Sequence, residues 1–162
     1  MIGFGVVGGS CATQTKGPSQ ETADTASIFV FGTINAGQSF VAAGTGTVYL
    51  HHVVLTIYPQ EAVTATMRIG SSTDLTSYLG QTTAALSGYG DYTFTFDPVV
   101  ELTGGDTYYF GLANSSSQYT DSFSLDVKSG DPYGDGISKE GSSWVLGSDA
   151  NTDANFKIYM CD

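Results

Sequence analysis

Apolar and polar residues alternate along most of this chain with a period of two, which is the pattern of half-buried strands. Val63, Ala65, Met67 and Ile69 alternate with Thr64, Thr66 and Arg68, predicting one buried and one wet face. The segment Tyr92-Thr93-Phe94-Thr95-Phe96 alternates more cleanly still; Asp97-Pro98 breaks it, and the pattern resumes over Val99 to Leu102. Short runs at Ile28–Phe31, Gln38–Ala42, Thr107–Ala113, Tyr119–Val127 and Phe156–Met160 read the same way. The longest strand is expected over Thr47–Tyr58. There Val48, Leu50, Val54 and Tyr58 are assigned to one face, and Tyr49, Val53, Leu55 and Ile57 to the other. Turn residues such as Asn35-Ala36-Gly37 and Gly104-Gly105-Asp106 punctuate the strands. The expectation is about ten strands with turn signals every 8–12 residues, no helix beyond single turns near Ser71–Tyr78, and no internal repeat.

The fold class that follows is all-β, an antiparallel β-sandwich with an extended N-terminal arm. The 162 residues suit one domain with a substantial core. Residues 1–27 are assigned to the arm and a polar, irregular connector, and 28–162 to the sandwich. Ile2, Phe4 and Val6 alternate with Gly3 and Gly5. They form a candidate docking arm that either adds to a partner's sheet edge or pairs within its own sandwich.

Composition narrows the partners. Sixteen Asp+Glu stand against five Lys+Arg, a net charge of −11. Nucleic acid needs a basic footprint, and an acidic membrane surface repels such a chain, so neither is an expected partner. No run approaches the ~18 apolar residues of a spanning helix. Met1 to Gly9 has no basic residue before its short apolar stretch and does not read as a secretory signal. Cys11 and Cys161, near the two ends, are a possible disulfide or two free thiols; joined, they would add roughly 4–5 kcal/mol through loop closure.

Several pieces, read in order, resemble one module. They are Gly37-Gln38-Ser39-Phe40, Val63 to Gly70, Tyr92 to Val99 and Leu102 to Phe110. Asp131-Pro132-Tyr133-Gly134-Asp135-Gly136, Trp144 and the closing Phe156-Lys157-Ile158-Tyr159 complete the set. Over roughly residues 28–160 the chain resembles the choice-of-anchor type of jelly-roll module, found in secreted bacterial surface proteins and in phage structural proteins. The resemblance implies a two-sheet antiparallel jelly-roll β-sandwich used for adhesion or glycan contact. With the arm, it leads to the expectation of a non-enzymatic virion protein, a bacteriophage capsid decoration protein or head fibre. Its partners would be capsid protein, further copies of itself, and a glycan or host surface. The alternative is a carbohydrate-binding or adhesion module of an exported, cell-surface protein.

Candidate chemistry is sparse. Trp144, Tyr119 and Tyr133, joined by Tyr89, are candidate sugar-stacking rings with Asp131 and Asp135 as acceptors; the competing role for Trp144 is to plug one end of the sandwich. The loop from Asp131 to Gly136 with Glu140 is either a Ca²⁺ loop or a turn, and no metal or cofactor is expected. His51 and His52 are adjacent on a strand, expected on opposite faces and so unable to act as a pair. No nucleophile-elbow pattern occurs, and paired carboxylates lack a setting that would shift them.

Overall fold

The computed structural model describes residues 11, 13–23, 27–30, 34–114, 122–130, 141–142, 144–146 and 152–161. The described residues form twelve strands and no helix. In order these are β1 (Thr15–Gln20), β2 (Ser27–Val30), β3 (Ile34–Val41), β4 (Gly46–Pro59), β5 (Val63–Gly70) and β6 (Gly80–Leu86). Then come β7 (Gly90–Gly104), β8 (Thr107–Asn114), β9 (Phe123–Ser129), β10 (Gly141–Ser142), β11 (Thr152–Ala154) and β12 (Phe156–Cys161). All pairings between them are antiparallel. One sheet runs β10-β3-β8-β5-β6. The other has seven strands, with β12 between β1 and β4, β7 on β4, and β9 joined by β2, β4 and β11. The two sheets pack face to face as a β-sandwich.

Alternation on the inner faces builds the core. Ala65, Met67 and Ile69 of β5 meet Leu50, Leu55 and Ile57 of β4 in one buried cluster with Phe40, Phe94, Phe110, Phe123 and Phe156. Phe110 and Phe156, from opposite sheets, touch edge to face with centroids 5.6 Å apart. A buried polar clamp crosses the same interior. The Gln38 side-chain amide donates to Asp153 at 2.7 Å, and its oxygen accepts from the Ala154 N–H at 2.9 Å. Both side chains are fully buried, so the bonds offset a desolvation cost that would otherwise oppose folding.

Three expectations need correction. The two face sets of the long strand are wrong, because Val48, Leu50, Val53, Leu55 and Ile57 all point inward. A β-bulge changes the phase: His51 and His52 together oppose Tyr159 of β12, the register shifting between Tyr159 and Met160. The pairing with β7 jumps nearby, from Leu50 opposite Val100 to His52 opposite Thr95, where the cis Asp97–Pro98 peptide lies. The bulge also overturns the reading of the histidines. Their Nδ1 atoms lie 2.8 Å apart, and one donates to the other. Finally, part of the connector is strand. β1 pairs with β12, with a register shift between Lys16 and Ser19 that spans Gly17-Pro18, an edge position where proline is tolerated.

Cys11 and Cys161 are joined in a disulfide, with Cα atoms 5.7 Å apart across a sequence separation of 150. It fixes the chain just before β1 to the end of β12. Ile2, Phe4 and Val6 lie outside the described residues.

Candidate functional site

The outer face of the five-stranded sheet carries a shallow depression of about 320 Å³ lined by Thr66, Arg68, Gln81, Ala113, Asn114 and Trp144. Strand period places most of these residues. Because Ala65, Met67 and Ile69 face the core, Thr66 and Arg68 of β5 face out. Register brings Gln81 of β6 opposite Arg68 on one side, and Gly111 of β8 opposite it on the other. The Arg68 Nε donates to Gln81 Oε1 at 2.8 Å, and Nη1 donates to the Leu75 carbonyl at 3.1 Å.

Trp144 reaches this face through two loops that lock together. The segment Ser71–Leu79 folds back over the sheet and meets residues 144–146 in a short antiparallel bridge, Asp74 opposite Val145. The Leu75 N–H donates to the Trp144 carbonyl at 2.7 Å, and the Leu146 N–H to the Thr73 carbonyl at 2.8 Å. Leu75 and Leu146 are buried in a small apolar layer outside the main core, and glycine makes room for them. A Cβ at Gly111 would sit 2.4 Å from Leu75 Cδ1, and one at Gly37 2.7 Å from Leu146 Cδ1. The same loop has its own brace, the Asp74 carboxylate accepting from the Thr76 hydroxyl and N–H. Those bonds hold Asp74 below its ordinary range.

Trp144 itself has φ 68°, a left-handed conformation that is an outlier for so bulky a residue. Its indole lies with the Arg68 guanidinium 4.0 Å from the ring centroid, and Tyr78 holds the same guanidinium at 4.5 Å. Trp144 is half-buried and lies over a sheet face rather than plugging an end of the sandwich. The depression therefore presents an aromatic surface, the Gln81 amide, a hydroxyl and a guanidinium with fixed orientation.

Of the other candidate residues, Tyr119, Asp131, Tyr133, Asp135 and Glu140 lie outside the described residues. Tyr89 is described, and it belongs to another surface. Its hydroxyl donates to Asp126 of β9 at 2.8 Å, which raises the phenol above its ordinary value. It lies beside Tyr58 of β4, ring centroids 6.3 Å apart, on the seven-stranded sheet. Nearby, Asp91 accepts from Thr56 and Lys157 and is held below its ordinary range by those two bonds. Sequence reasoning missed Arg68, Gln81 and Asn114. The available signal was Arg68 itself, a lone cation on the wet side of an alternating strand in an acidic chain.

No protein-family model matches this chain, and no curated protein is significantly similar to it.

Proposed function

We propose that this chain is a non-catalytic attachment module that contacts glycans through the depression at Arg68 and Trp144. The observation that carries the reading is Trp144, held in a strained backbone conformation beside a stacked guanidinium and polar side chains. Strain of this kind costs of order 1–3 kcal/mol and persists where the surroundings impose it, commonly at ligand sites. Sugars present C–H faces that pack on an aromatic ring, and hydroxyls that exchange hydrogen bonds with amides. The size of the depression falls at the lower end of small-ligand clefts, roughly 300–1,000 Å³.

The disulfide supports an exterior setting, since such bonds persist in oxidising surroundings. Two settings meet that condition: a virion surface, where the chain would be a bacteriophage capsid decoration protein or head fibre, and an exported bacterial surface protein. The ordered motifs that resemble a choice-of-anchor module support attachment in either. Virus particles purified from the source organism and probed for the chain distinguish the two.

Trp144 is the chain's one tryptophan, so intrinsic fluorescence reports on the site directly. Oligosaccharides added to the protein should shift or quench its emission, and a Tyr89→Ala variant should respond alike. A fluorescence silent to every glycan tested, or a response lost with Tyr89, would contradict the assignment.

A further inference from the structure

We propose that the depression selects acidic sugars, with Arg68 receiving the carboxylate of a uronic- or sialic-acid residue; this inference rests on the glycan reading above. The argument begins with charge. Acidic side chains outnumber basic ones sixteen to five, so a basic group ordinarily finds a carboxylate close by. Lys16 pairs with Glu21 and Lys157 with Asp91. Arg68 does otherwise: its hydrogen-bond partners among the described residues are the Gln81 amide oxygen and the Leu75 carbonyl, both neutral. None of the described residues lining the depression is acidic.

Geometry makes this guanidinium ready for an anion. Two neutral acceptors and two aromatic rings fix its position, so little side-chain freedom remains to be lost on binding. Nη2 makes no hydrogen bond among the described residues, and Nη1 has one hydrogen beyond its bond to Leu75. A planar guanidinium with such donors matches a carboxylate. Trp144 offers the accompanying ring surface, and Gln81, Asn114 and Thr66 line the same hollow, which suits a sugar acid better than a bare carboxylate. The net charge of −11 opposes anions at long range. That field is screened beyond about 8 Å at physiological ionic strength, while Arg68 acts at contact.

The test is calorimetry on the full chain with oligogalacturonate, a glucuronate-bearing oligosaccharide and sialyllactose, each beside its carboxylate methyl ester, and with neutral oligosaccharides and a peptide ending in Asp or Glu as further ligands. The acids should bind about 10- to 100-fold more tightly than their esters, the worth of a charge-assisted hydrogen bond. Arg68→Gln should bring acid and ester to the same affinity, with melting temperature measured in parallel because Arg68 also holds the Ser71–Leu79 loop. The acid–ester comparison on the wild-type protein stands even if that variant unfolds. Equal or tighter binding of the esters overturns the inference and leaves the glycan reading intact. No binding by acids, esters or neutral oligosaccharides overturns both. Tighter binding of a peptide ending in Asp or Glu overturns it in favour of a protein ligand.

Discussion

At the scale of single residues, two local departures from regular strand geometry organise the chemistry. One is the left-handed Trp144 over Arg68. The other is the bulge that turns His51 and His52 toward each other and stacks His52 on Tyr159, centroids 4.3 Å apart. Burial, and then the charge of His51, lowers the His52 pKa from its ordinary 6.5. Folded protein thus binds fewer protons than unfolded protein just below that value. The stabilisation is complete above pH 6.5 and is lost as pH falls through the lowered folded value. Melting temperature should therefore drop on going from pH 7.5 toward 5, and His52→Phe, which keeps a ring on Tyr159, should flatten that drop. An unchanged pH profile in the variant would mean that His52 does not titrate as argued.

At the scale of elements, the outer layer on the five-stranded sheet depends on absent side chains. Gly111→Ala would push its methyl group into Leu75, an overpacking that costs typically 1–3 kcal/mol. The Ser71–Leu79 loop carries the carbonyl that Arg68 holds and the N–H that Trp144 receives. Gly111→Ala should thus lower urea stability and also weaken glycan binding, although residue 111 does not line the depression. Normal binding in this variant would show that the loop does not set the site. This scale also marks where the sequence was readable. Clean alternation announced β5 and the first half of β7, whose buried faces are strictly periodic. β1 and β6 escaped notice because they are edge strands rich in Ser, Thr, Gln and Ala, with little apolar contrast between faces. The bulge at His51 was invisible because a one-residue phase change looks, in sequence, like two apolar faces on one central strand. The inter-sheet pair of Gln38 and Asp153 lies 115 positions apart, and no local signal joins them.

At the scale of the whole molecule, the disulfide closes nearly the entire chain. Loop-closure entropy for a separation of 150 amounts to about 5 kcal/mol in the chain-entropy account, comparable to the net stability of many domains. The Cys11→Ser/Cys161→Ser double variant should lose about 4–5 kcal/mol in urea unfolding, with a much smaller loss refuting the entropic account. The fold class was legible from period, turn signals and composition together. The candidate site was legible only at Trp144, because its partners come from β5, β6 and β8 and meet through register.

The most direct test of the account is a glycan array probed with wild-type protein and with Trp144→Ala, both verified as folded by circular dichroism. The account predicts a defined set of glycans bound by the wild type and lost by the variant, with melting temperatures that stay close. An array that the wild type leaves empty, or one that the variant binds just as well, would contradict it.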